Sequence, residues 1–230
     1  YAAHYAIMRW GFGLPLAVAN QAVSVGHALT TTMFALVAFA NTPGADARVA
    51  TNSMLHSMLL AHSLGYFALD TLYIMFVGFN PLFLAHHMLS MTGLGVFYAH
   101  GVGGPLLVYI LGLAEITNPL ARASDAYLIR HNYRKQARDS PGRRLAYGVF
   151  LAAFVLCRFF LIPVAAWDLY VHVMPSLGWW PQAICASAAL VTIASGWCWG
   201  ALEILSHASN VPPLFTSGGV ACESRFRSDT

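Results

Sequence analysis

The chain has 230 residues, a length that admits one or two ordinary domains. Apolar residues make up 58% of it and charged residues 9%, where soluble domains carry about a quarter, and the formal net charge is only +3. That balance cannot cover a water-facing surface, so the sequence reads as an integral membrane protein.

Taken in chain order, residues 4–19 are apolar except for His4 and Arg9 and contain Pro15. They read as the end of a truncated span or as an interfacial segment. The first residue is Tyr1, not Met, so the natural N-terminus is expected upstream, as a removed targeting peptide or a further helix. Six stretches then approach the roughly 20 apolar residues needed to cross a bilayer: 20–40, 53–77, 82–99, 104–118, 145–171 and 182–207. Turn signals separate them, among them NTPGAD after the first, FNP before the third and HGVGGP before the fourth. The fourth is short, and is expected to tilt or to break at Asn118-Pro119. No linker, repeat or low-complexity tract divides the chain. Its expected organisation is an N-terminal segment 1–19, one membrane domain 20–207 and a tail 208–230.

Basic residues set the expected orientation. If all six stretches cross, Arg9, seven residues of the 119–144 region and the tail arginines Arg225 and Arg227 share one side, against Arg48 on the other. That side is the cytosol or its equivalent, a matrix or stroma. The loop YLIRHNYRKQARDSPGRR also allows contact with anionic lipid head groups, while no nucleic-acid module surrounds its charges. The cysteines Cys157, Cys185, Cys198 and Cys222 form no CxxC pair and point to neither disulfides nor zinc.

Polar residues inside the spans fall on stripes. The first span carries Asn20, Ser24, His27 and Thr31 on one face, and the second His62, Tyr66 and Asp70 at steps of four. The third has His86, Ser90 and Gly93, the fourth Tyr109, Gly112 and Glu115. The fifth has Arg158, Asp168 and His172, and the sixth Thr192, Ser195, Trp199, Glu203 and His207. An ionised side chain at mid-membrane costs about 3 kcal/mol or more, so these groups should turn toward protein or water. The expected fold is therefore all-α: a polytopic bundle of six transmembrane helices, seven with the N-terminal segment, around a central polar cavity.

The adjacent pair His86-His87 stands out. Neighbouring helix positions diverge by about 100°. His86, on the side of Ser90, should face the interior, and His87 should point sideways at a neighbouring helix. One imidazole is then free for chemistry or ligand binding and the other for a structural hydrogen bond, without the sequence saying which.

Five segments together resemble the TLC-domain family, which includes ceramide synthases and translocation-associated membrane proteins. They are NQAVSVGHAL (20–29), SLGYFALDTLY (63–73), AHHMLSMTG (85–93), LAEITNPLAR (113–122) and FVLCRFFLIP (154–163), in the family's order. The resemblance implies a bundle of six or more helices around a lipid-accessible cavity, in the endoplasmic reticulum or endomembranes; a mitochondrial or plastid membrane is the alternative. In ceramide synthases the paired histidines, with acidic partners, serve N-acyl transfer from acyl-CoA. That activity goes with a His-Asp-x-x-Asp run, and here Leu107, Val108 and Leu111 stand at its three key positions. The resemblance is thus to the branch without synthase activity.

Three functions remain open on these residues. The first is binding or handling of a lipid in the cavity by His27, His62, Tyr66, Asp70, Glu115 and Arg158. The second is acyl transfer through catalytic His86 or His87. The third is an accessory subunit of a larger membrane complex. Against the functional roles stands a structural one: buried histidines that fix packing, and an ion pair of Arg158 with Glu115 or Asp70. Glu203 and His207 have chelating spacing but no second segment beside them, so no metal and no cofactor beyond a bound lipid is expected. The expected partners are membrane lipids and other membrane subunits, with no nucleic acid.

Overall fold

The computed structural model describes residues 1–13, 16–41, 51–77, 79–121 and 140–208. Residues 122–139 of the basic loop and 209–230 of the tail lie outside them. The described chain is helical almost throughout. α1 (Ala2–Ala6) continues into a π-helical turn, Ile7–Gly11. The long helices α2 (Leu16–Ala40), α3 (Met54–Phe76) and α4 (Pro81–His100) follow. α5 (Gly104–Glu115) comes next, then α6 (Pro141–Val155), which passes through a π-helical stretch Leu156–Leu161 into α7 (Ile162–His172). α8 (Trp179–Ala208) closes the described chain. Among the described residues six helical segments are long and apolar enough to cross a membrane. The protein is a multi-pass integral membrane protein, and its apolar backs are exposed, as on Met33, Phe39, Trp167 and Leu190.

The helix starts follow from local chemistry. Ser53 precedes α3, and its hydroxyl accepts from the His56 N–H at 3.3 Å while His56 Nδ1 accepts from the Ser53 N–H at 3.2 Å. This is a reciprocal capping box with histidine in the usual Glu/Gln place. Asn80 caps α4: its Oδ1 accepts from the N–H groups of Leu82 and Phe83, both at 3.1 Å, and Pro81 fills the first position, where no N–H is needed.

The fourth span breaks as its sequence foretells, two residues before the Asn118-Pro119 step. α5 stops at Glu115, Ile116 is a turn, and residues 117–121 resume the helix. Pro119 has no N–H to give the Glu115 carbonyl, and its ring crowds that oxygen. The loosened Ala114 carbonyl is satisfied twice, by the Thr117 hydroxyl at 3.0 Å and by Arg158 Nη2 at 2.9 Å. Arg158 reaches it from the π-helical stretch, whose extra residue per turn lies just ahead of Pro163.

The chain forms two compact units. The first comprises residues 1–24, 60–100 and 177–230, so its boundaries fall within α2 and α3. In it α4 packs along α8; a Cβ on Gly93 would lie 3.5 Å from that of Ala188, ordinary contact. The second comprises residues 25–59 and 101–176. There α5 packs on α7 and along the second half of α2, where Tyr109 stacks on Phe39 with ring centroids 5.2 Å apart. One turn further, Gly112 meets Ala35 so closely that a Cβ on Gly112 would stand 2.6 Å from the alanine's. Gly103 enters α5 with φ at +72°, a backbone state that suits glycine, and the Gly104 N–H donates to Asn52 Oδ1 at 2.7 Å.

The Gly112–Ala35 approach should behave as a lock. Gly112→Ala is expected to lower stability by about 1–3 kcal/mol through overpacking. Adding Ala35→Gly should recover part of that loss, which thermal unfolding of the two singles and the double in detergent would read as coupling. Additive losses would disprove the contact.

Candidate functional site

The first unit holds a ladder of polar side chains between helices. On α3, His62, Tyr66 and Asp70 stand one turn apart, as their spacing predicts. Asp70 Oδ1 accepts from Asn20 Nδ2 at 3.0 Å, and the Tyr66 hydroxyl donates to Ser24 Oγ at 3.0 Å. Asn20 and Ser24 are themselves one turn apart on α2, so the two stripes run antiparallel and pair rung by rung. The third rung, His62, hydrogen-bonds the hydroxyl of Tyr1, whose ring also meets Tyr66 edge-on at 5.6 Å.

α4 adds the histidine pair, and the geometry separates the two rings. His87 is buried and fully committed. Its Nδ1 lies 2.8 Å from the Phe83 carbonyl, one turn back on α4, and its Nε2 lies 3.0 Å from Asp70 Oδ2. Phe67 closes the ring from α3, edge-on at 5.2 Å. A carbonyl and a carboxylate oxygen are both acceptors, so two protons must lie along these two contacts. One sits on Nδ1, and the other lies between Nε2 and Oδ2. His87 turns to the neighbouring α3, as the sequence leads one to expect, but it is the buried ring of the two, and His86, expected to face the interior, is the more exposed one. His86 is partly exposed, its ring perpendicular to that of His87 with centroids 5.5 Å apart.

The second unit holds another polar cluster. His27 is essentially inaccessible, with Nδ1 3.3 Å from the Thr31 hydroxyl, itself fully buried. Its Nε2 lies 3.9 Å from Glu115 Oε1, too long for a hydrogen bond but close enough for charge to matter. Glu115 Oε2 accepts from Asn118 Nδ2 at 2.8 Å. The Arg158 guanidinium, on the neighbouring Ala114 carbonyl, feels the Glu115 charge and sits 5.9 Å over the Phe154 ring. Of the two partners read for Arg158, Glu115 is therefore the one beside it within this unit, while Asp70 is engaged by Asn20 and His87 in the other. The remaining polar residues of the fifth span form a peripheral pair, His172 Nε2 lying 3.3 Å from Asp168 Oδ1. Glu203 and His207 lie outside the described side chains.

The sequence-predicted residues thus gather in two sets: His62, Tyr66, Asp70, His86 and His87 in the first unit, His27, Glu115 and Arg158 in the second. Sequence reasoning missed the part of Asn20 and Asn118, which each hold a carboxylate. Their signal was an amide on a polar stripe, and nothing in a single sequence names the acid it faces.

A family model described as TLC domain matches residues 17–203. Comparison with curated proteins and with solved structures finds no match. The family model spans most of the chain, and the chain belongs to the TLC-domain family.

Removing one member of the His87–Asp70 pair takes a charge-bearing contact away from a side chain with little access to solvent. Asp70→Leu or His87→Leu alone should cost about 3–5 kcal/mol, whereas the double Leu variant should cost much less than their sum. Unfolding of the four proteins in one detergent measures this, and additivity would mean the two side chains do not interact.

Proposed function

We propose that this TLC-domain membrane protein binds a lipid through the polar cluster of its first unit, with His86 as the side chain that meets the lipid's head group. The carrying observation is that a partly exposed imidazole, His86, lies against the buried His87–Asp70 pair within a span-length helix. Ionisable groups inside membrane spans are retained at a cost, which makes them candidates for function. Asp70 and His87 supply a fixed polar floor, and the apolar flanks of α4, such as Met88 and Leu82, offer surface for an acyl chain.

Ceramide synthesis is not part of this proposal. Leu107, Val108 and Leu111, at the positions of the synthase acids, are buried apolar side chains of α5. They supply neither a base nor a metal ligand. A second reading, acyl transfer with His86 as general base, is favoured by the Asp70–His87 pair behind it. In that case His86 would take the proton of an attacking amine or hydroxyl and return it to the departing thiolate of an acyl thioester.

The test is native mass spectrometry of the protein extracted from host membranes in mild detergent, with lipids of all classes scored. The wild type should retain a stoichiometric lipid. His86→Ala should keep its helical content and lose retention about tenfold, the worth of one hydrogen bond of about 1.4 kcal/mol. His172→Ala, at the peripheral pair, should retain it unchanged. Equal retention by His86→Ala and wild type would overturn the proposal. Consumption of acyl-CoA by wild type alone would establish the second reading.

A further inference from the structure

Asn20 matters more than its type indicates. The proton between His87 Nε2 and Asp70 Oδ2 has two resting places. On nitrogen it gives an imidazolium and a carboxylate; on oxygen it gives two neutral groups. In a low-dielectric interior the neutral arrangement gains, because neither charge has to leave water. What opposes this is hydrogen bonding to the charged form. Asn20 provides it: its amide N–H donates to Oδ1 at 3.0 Å, at the far end of the same carboxylate, and only its NH2 group can do so. The Phe83 carbonyl acts from the other side, 2.8 Å from Nδ1, by accepting from the ring and favouring the charged imidazole. The chain Asn20–Asp70–His87–Phe83 therefore has a consistent polarity, with a donor at the carboxylate end and an acceptor at the imidazole end.

We propose that Asn20 is the positioning residue of this pair, turning Asp70 so that Oδ2 meets His87 and holding the shared proton on the imidazole. The proposal rests on the reading of the first unit as the lipid site and adds the regulation of its charge. A charged His87 ring, centroid 5.5 Å from that of His86, repels a second positive charge there. His86 is then presented to the lipid as a neutral ring. Asn20 acts through its hydrogen bond to Asp70.

The protein in nanodiscs, without added lipid ligand, allows this to be read directly. Infrared difference spectra against Asp70→Asn report whether Asp70 is protonated, and nitrogen NMR of ring-labelled histidine, with His87→Gln for assignment, reports the protons on His87. Wild type should show a carboxylate at Asp70 and both nitrogens of His87 protonated. Asn20→Leu, close in size but with no donor, should bring up the protonated-carboxyl band and strip the proton from Nε2. Asn20→Gln, which keeps the amide, should recover at least part of the wild-type spectrum. A protonated Asp70 in the wild type overturns the proposal whatever the variants do, which covers the case in which Asn20→Leu does not fold. Wild-type spectra from folded Asn20→Leu overturn it equally. Both readouts are independent of lipid retention, so their failure leaves the His86 result standing, and loss of the His86 result leaves the spectra standing.

Discussion

Hydrocarbon offers no hydrogen bonds, so each polar group within a span must find its partner inside the protein. The antiparallel ladder between α2 and α3 meets that demand for Asn20, Ser24, Tyr66 and Asp70. Asn20 faces Asp70 and Ser24 faces Tyr66 because both stripes repeat every helical turn and run in opposite directions. Each such contact contributes about 0.6 kcal/mol on average in membrane helices. Their larger effect is on register. A slide of α3 by one residue would rotate Asp70 away from its donor by about 100° and move His87 off its carboxylate. Specificity of helix pairing and arrangement of the polar site thus depend on the same contacts.

The charges obey the same constraint within each unit. Asp70 meets a cation-forming neighbour, His87, and Glu115 has Arg158 beside it, so within each unit an acid faces a group that can balance its charge. His27, with its second contact at 3.9 Å from Glu115, is not needed to balance that account. The two sets differ in how they close. In the first unit the acid and the imidazole meet directly. In the second the guanidinium binds the carbonyl of the residue beside the acid, and Asn118 takes one of the acid's oxygens.

Much of the fold could be read in the sequence. Six spans are present with shifts of a few residues, because apolar length, Pro81, Asn80 and the glycines of HGVGGP are local signals. α2 begins at Leu16, four residues before its expected start, and α8 at Trp179, because apolar and aromatic ends do not announce where helix begins. Helical periodicity also found the stripes, since their residues share a face whatever they touch. It could not find partners. Asn20 and His27 sit on one face of α2, yet one meets Asp70 and the other Glu115, and that depends on which helices pack alongside. The same limit left His86 and His87 undistinguished. Their difference lies in a carbonyl four residues back and a carboxylate on another helix.

The irregular backbone of the second unit carries the remaining step of the argument. A proline in a span removes a hydrogen bond that lipid cannot replace, and the break at Ile116 frees carbonyl oxygens in a buried place. Arg158 answers one of them, and its own helix is π-wound where it does so. A guanidinium has five N–H groups in a rigid plane, so it can hold a broken helix end while still answering an adjacent acid. A lysine would offer a flexible point charge without that planar fork. The cation also sits at the C-terminal end of α5, where the helix dipole favours positive charge. Arg158 therefore acts first as a splint for a broken span, and any head group it met would have to compete with the Ala114 carbonyl and with Glu115. The proposed lipid contact is therefore placed on His86 in the first unit rather than on the arginine.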